Sequence, residues 1–200
     1  MNLQAFTKLL SAHLYPLLRE EGFRGSGATL RRLNAPLAHV FNVQGSASGQ
    51  RCYLNLGAHL AFLSSDRQSD WRLDRVLEYQ CAFRTRIDPP AGQDFGWSYG
   101  SSISEAEANV SAAVTAWKHQ GKSFFAQFAT YPEDFARRVA EFSPDEAHPA
   151  MCLTMARIAV QLGEPGRASA IAASGLDRVA ERATVLRKSL NQVLVGNNAP

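Results

Sequence analysis

The stretch from Pro36 to Phe62 constrains the fold more than any other. Cys52, Leu54, Leu56, Ala58, Leu60 and Phe62 are apolar, and Arg51, Tyr53, Asn55, Gly57 and His59 stand between them. Side chains of a strand alternate sides, so this period of two puts the first set on one sheet face and the second on the other. The preceding arm is less regular: Leu37, His39, Phe41 and Val43 share one side, and Ala38, Val40, Asn42 and Gln44 the other. The polar loop Gly45–Gln50 joins the arms, so the whole reads as a β-hairpin. Such a hairpin buries one face and leaves the other polar.

Helical periodicity flanks it. Leu3, Phe6, Leu10, Leu14, Leu17 and Leu18 predict a helix from residue 2 to about 21, kinked at Pro16 or broken there into two parts, and stopped at Gly22. Residues 24–28 read as a flexible turn and Thr29–Leu33 as a short strand. A polar loop is expected over Ser64–Asp70, then a loop or helical turn from Trp71 to Leu77. Cys81, Phe83, Thr85 and Ile87 alternate with Ala82, Arg84 and Arg86, which predicts a further strand with the cysteine on its apolar side. Phe95–Tyr99 reads as a short extended piece. Ser104 with Glu107 forms a capping box for a helix running to about 129 through Trp117, Phe124, Phe125 and Phe128, with Gly121 as a weak point. Residues 148–162 and 165–190 predict two antiparallel helices, and Gly196–Pro200 a disordered tail.

The fold class expected is therefore α+β. An antiparallel sheet of about four to five strands has its apolar face covered by the N-terminal helix and the helix at 104–129. The α+β domain spans residues 1–130, and residues 131–195 form a C-terminal helical extension packed on it.

The order of these pieces resembles a known family. They are Leu17-Leu18-Arg19-Glu20-Glu21-Gly22-Phe23, Thr29-Leu30-Arg31-Arg32, Val40-Phe41-Asn42-Val43-Gln44, Tyr53-Leu54-Asn55-Leu56-Gly57 and Cys81-Ala82-Phe83-Arg84-Thr85-Arg86, then Trp97 with a helix behind it. Over roughly residues 3–130 this resembles the bacterial domain of unknown function 4304. The resemblance implies a fold and supplies no catalytic residues. Its pattern usually has a polar or basic residue where this chain has Gly45, and often a histidine where it has Ala82.

The polar face gathers the candidate functional residues. Asn42, Gln44, Asn55, His59, Arg84 and Arg86 share it, with Tyr53 and Arg31 alongside. Two guanidiniums beside amides and an imidazole suit a carboxylate, a phosphate or an acidic partner. The competing reading is an ordinary solvated sheet face. No catalytic motif is present: Gly45-Ser46-Ala47-Ser48-Gly49 lacks the spacing of a nucleophile elbow and sits in a hairpin loop. His13, His39, His59, His119 and His148 have no metal-ligand spacing, so neither a metal nor a cofactor is expected. Cys52, Cys81 and Cys152 are odd in number and far apart, as reduced core thiols of a cytoplasmic protein are. No run of about 18 apolar residues predicts a membrane span, and residues 1–18 read as a mature helix without a basic leader. A net charge of +3, with Glu133, Asp134, Glu141 and Glu181 among the later arginines, argues against nucleic acid. The function expected is non-catalytic protein binding, adaptor- or immunity-like. The alternative is an anion-binding or enzymatic domain using the same face.

Overall fold

The sheet grows outward from the hairpin in a computed structural model that describes residues 1–63, 72–90 and 96–196. The arms are β3 (Leu37–Gly45) and β4 (Arg51–Leu60), paired antiparallel with Phe41 opposite Leu56 and Asn42 opposite Asn55. β2 (Thr29–Asn34) flanks β3, and β1 (Arg24–Ser26) flanks β2. β5 (Phe83–Ile87) pairs with the other side of β4, and β6 (Trp97–Ser98) pairs with β4 at Arg51 and Cys52. Every pairing is antiparallel and the order β1-β2-β3-β4-β5 follows the chain, so these five strands lie beside their sequence neighbours, while β6 returns past β5 to β4.

Several details correct the sequence reading. Residues 24–26 are a strand and not part of a turn; Gly25 and Gly27 take positive φ there, which glycine adopts without a Cβ clash. The hairpin arm ends at Leu60, and Ala61–Leu63 form a 3-10 turn, so Phe62 is not on the strand. The segment before β5 carries two more such turns, Leu73–Arg75 and Glu78–Gln80. The loop expected over Ser64–Asp70, and residues 197–200 of the tail, lie outside the described residues.

The buried sheet face carries Leu30, Phe41, Val43, Cys52, Leu54, Leu56 and Ile87. Against it pack α1 (Leu3–His13), α2 (Tyr15–Glu20), α3 (Ile103–Ala116) and α4 (Lys122–Ala126), which contribute Phe6, Leu10, Leu18, Val110 and Phe125, with Leu14 and Trp117 from the junctions between them. Each large side chain buried here contributes about 1.5–3 kcal/mol. The break expected at Pro16 falls at Leu14, with Pro16 in the first turn of α2, where its missing N–H costs nothing. The helix cap lies two residues earlier than the sequence suggested: Ser102 accepts from the Glu105 N–H, and the Glu105 carboxylate accepts from Ser101. Between α3 and α4 the helix widens into a π turn, Trp117–Gly121, with the Trp117 indole folded over Gly121.

Contacts divide the chain into two compact units, the first ending at Ala129 and the second beginning at Thr130. The second unit holds α5 (Glu133–Glu141), α6 (Pro149–Gln161), α7 (Pro165–Arg178) and α8 (Thr184–Gly196). The single helix expected over 165–190 is thus two, interrupted at Val179–Ala183. Small residues bring α6 and α7 together: a Cβ on Gly175 would lie 2.7 Å from that of Cys152. Arg167 holds the Val139 and Phe142 carbonyls at the end of α5. Among the described residues no helix is long and apolar enough to cross a membrane.

Candidate functional site

The second sheet face falls into a covered half and an open half. Ala38, Val40, Gly57 and His59 belong to the covered half, under the segment from Arg72 to Ala82. Val76, Cys81 and Leu73 of that segment pack on Ala38 and Val40. Polar stitches hold it down: Arg31 donates from Nε to the Val76 carbonyl at 2.7 Å, and the Ala82 N–H donates to His59 Nδ1 at 3.2 Å. Arg31 and His59 are therefore on the face expected, but both are spent on holding this cover. His59 is 4% exposed, and burial pushes its pKa down to about 4. It does not join the arginine cluster.

Cys81 precedes β5 and turns onto this second face, not onto the helix-covered side that its spacing suggested. Its Sγ would lie 2.6 Å from a Cβ on Gly57, so only glycine lets the cover seat. Burial pushes its thiol up to about 12, which keeps it neutral and unreactive. Gly57→Ala is expected to lift residues 78–81 and expose Cys81. A thiol reagent followed by mass mapping should show Cys81 labelling at least about tenfold faster, with Cys52 still protected. Unchanged labelling would mean that the cover accommodates the methyl.

The open half is built around an amide chain. Asn55 lies between Asn42 and Arg86 in the ladder and is 2% exposed. Its Nδ2 donates to Gln44 Oε1 at 3.0 Å and to Asn42 Oδ1 at 3.4 Å, which leaves its oxygen to accept from Arg86 Nε at 3.2 Å. Asn42 is fixed in turn by donating to Thr29 Oγ1 at 2.9 Å. The Arg86 guanidinium stacks on the Tyr53 ring, 4.4 Å from its centroid. Clamped by stacking and by Nε, it presents its two terminal nitrogens, which have no acceptor among the described residues.

Arg84 is next along the face. Its Nη1 donates to the Tyr79 carbonyl at 3.2 Å, and its Nε lies 3.9 Å from Glu78 Oε1. The Glu78 side chain is 14% exposed; burial pushes its carboxyl up, against the pull of Arg84 and Arg86. Gln44, Asn55, Glu78, Tyr79, Arg84, Thr85 and Arg86 line an open recess of about 530 Å³. The structure thus brings together Gln44, Asn55, Arg84 and Arg86, keeps Asn42 behind Asn55 as a support, and separates His59. Glu78, Tyr79 and Thr85 were missed by the sequence reading. Glu78 and Tyr79 come from an aperiodic segment whose place over the sheet has no local signal.

Two other features bear on the assignment. A larger concavity of about 760 Å³ runs along α8, lined by residues such as Thr184, Lys188 and Val195. Its exposed lining is mostly apolar and comes from α8 and the residues just before it, whereas the smaller recess gathers charged and amide groups from several elements and is the better candidate. On the buried face, His39 Nδ1 accepts from Arg32 Nε and Nη2 at 3.1 and 2.9 Å, and its Nε2–H donates to the Phe128 carbonyl at 2.8 Å. Burial and the adjacent Arg32 push His39 down to about 4. This pair ties β2 and β3 to the end of the helix and is structural. Among the described residues no group of three or more His, Cys, Asp or Glu side chains can hold a metal ion.

Fold and site together define an α+β protein with a helix-backed antiparallel meander and a polar recess on the opposite sheet face. The chain belongs to the family described as Domain of unknown function (DUF4304), which it matches over residues 14–127. No curated protein and no solved structure matches it.

Proposed function

We propose that this protein is a non-catalytic binding module that recognises an anionic group on a protein partner through Arg84 and Arg86. The observation that carries this reading is the bracing of Arg86. A merely solvated arginine needs no support, whereas this one is stacked on Tyr53 and held by a buried asparagine that two further amides orient. Such bracing lowers the entropy lost when an anion is gripped. Tyr79 stands at the rim, 66% exposed, and tyrosine and arginine are the residues on which interfaces most often depend. The openness of the recess suits a protein surface better than an engulfed small molecule.

An adaptor- or immunity-like role in a bacterial cytoplasm fits this reading. The resemblance supports the source, and three free, buried cysteines support a reducing compartment. A second reading, a small anionic ligand with or without chemistry, draws support from Glu78, since a carboxyl raised by burial beside two arginines is a mark of functional sites.

The test is capture of a partner by the wild-type chain, followed by reconstitution from purified components. Arg84→Ala/Arg86→Ala is expected to weaken the complex at least about tenfold; it also leaves Asn55 Oδ1 without its donor, at a cost of about 1–3 kcal/mol, so binding is compared at a temperature where circular dichroism shows both chains folded. A partner bound equally by the double variant would move the interface elsewhere. Co-purification of a small anion alone would favour the second reading.

A further inference from the structure

Among the described residues the backbone of β5 has one side without a neighbouring strand. In an antiparallel ladder the N–H and C=O of a residue point the same way, and successive residues alternate. The Val43 N–H donates to the Ala28 carbonyl, so odd-numbered residues of β3 face β2 and even-numbered ones face β4. With Asn42 opposite Asn55, odd residues of β4 then bond β3, and even ones face β5. The Ala61 N–H donating to the Pro36 carbonyl obeys the same phase. With Leu56 opposite Thr85, the residues of β5 that bond β4 are Phe83, Thr85 and Ile87. Arg84, Arg86 and Asp88 point their backbone groups outward.

Asp88 confirms the direction. Its N–H donates to Gln120 Oε1 at 2.9 Å, and its C=O accepts from Gln120 Nε2 at 3.0 Å. One side-chain amide thus fills the place that a neighbouring strand would take. Among the described residues nothing bonds the backbone N–H or C=O of Arg84 or Arg86, and residues 84–86 are exposed. The opposite edge of the sheet is unlike this one: β1 has three residues and its Gly25 sits at φ +130°, which makes it a short, irregular edge.

We propose that β5 is a docking edge on which an extended acidic segment of a protein partner adds to the sheet. Its backbone bonds Arg84 and Arg86, and two acidic side chains, two residues apart, meet the two guanidiniums. The inference rests on the anion-recognition reading above and adds how the partner lies. Charge complementarity selects the occupant: a residue paired with Arg84 or Arg86 projects its side chain on the same face as the guanidinium. Charged edge residues also serve to deter aggregation. That role needs a freely solvated charge, whereas Arg86 is clamped by Tyr53 and Asn55, and Arg84 is anchored on the Tyr79 carbonyl. Strand addition of this kind draws affinity from main-chain bonds and selectivity from alternate side chains.

The probe is a capped peptide, Val-Glu-Val-Glu-Val, compared with the same peptide N-methylated at both glutamates, which keeps the charge and removes the donors. In the free protein the Arg84 and Arg86 amides should exchange fast and the Thr85 amide slowly. On adding the first peptide the two arginine amides should become protected. The N-methylated peptide should bind at least about tenfold more weakly. Equal binding of both peptides, abolished by Arg84→Ala/Arg86→Ala, would overturn the added strand and leave anion recognition standing. Binding of neither peptide would bring down both. Protection that appears at β1 in place of β5 would overturn the docking edge.

Discussion

Replacing Gly121 with alanine is expected to destabilise the first unit by about 2 kcal/mol, against the usual trend for glycine in a helix. Alanine is favoured over glycine at such positions by about 1 kcal/mol. Here the new Cβ would lie 2.3 Å from Cε3 of Trp117 and 2.8 Å from Cζ3. The indole is fully buried and meets Phe23, Phe41 and Phe125 edge-on or tilted, so it has no room to retreat. Forcing extra atoms into such a core costs about 1–3 kcal/mol, sometimes more, and this site belongs at the upper end. Sterics therefore outweigh propensity. The measurement is the urea midpoint by tryptophan fluorescence, since all three tryptophans, at positions 71, 97 and 117, precede Thr130 in the sequence, where the second unit begins. Gly166→Ala on α7, followed by far-ultraviolet circular dichroism because the second unit has no tryptophan, is the control: a Cβ there meets nothing within 4 Å, so it should be neutral or mildly stabilising. A Gly121→Ala protein as stable as the wild type would show that the indole has space after all.

Acid should unfold the same unit well before its carboxylates titrate. His39 and His59 are 3% and 4% exposed, and both are held at about 4 against an ordinary 6.5. Between those values the unfolded chain binds a proton on each histidine and the folded chain does not. Stability is therefore fully present above about pH 6.5 and falls as pH drops toward 4. At about 1.4 kcal/mol per pH unit, each histidine removes about 3 kcal/mol across the window. Together they approach the 5–15 kcal/mol that holds an ordinary domain folded. For His39 the cause is geometric as well, since a proton on Nδ1 would point at Arg32. Urea midpoints at pH 7.5, 6 and 5 test this. The midpoint should drop steeply, and His39→Gln and His59→Gln should each remove about half of the slope. A profile flat down to pH 4.5 would contradict it.

What the sequence disclosed follows from where periodicity comes from. β4 was legible because one of its faces meets a core along its whole length, and Cys52 to Leu60 record that contact residue by residue. Arg84 and Arg86 were assigned to the correct face for the same reason. β1 was hidden because its three exposed residues carry no burial pattern. The burial of His59 was hidden because it depends on Leu73, Val76 and Cys81, which arrive from a segment with neither helical nor strand period. Cys81 misled because it keeps the alternation of β5 while lying outside the strand. The helix start was ambiguous by chemistry: Ser102 with Glu105 and Ser104 with Glu107 are equivalent boxes, and Ser102 is the cap used. The break between α7 and α8 at Val179–Ala183 contains neither glycine nor proline, so nothing local announces it.

The order of strands has a consequence for how the chain is made. Because β1 to β5 each lie beside their sequence neighbours, the meander can pair as it leaves the ribosome, starting from β1. Its apolar face, however, waits for Trp117 and Phe125, and about 65 residues separate Phe125 from the end of β4. At roughly 5–20 residues per second that is about 3–13 s of synthesis. Until α3 is made, Phe41, Val43, Leu54 and Leu56 have only α1 and α2 as helical shelter. The nascent sheet is thus a natural client for a chaperone that covers apolar surface, and the helix that ends this unit is the piece that releases it.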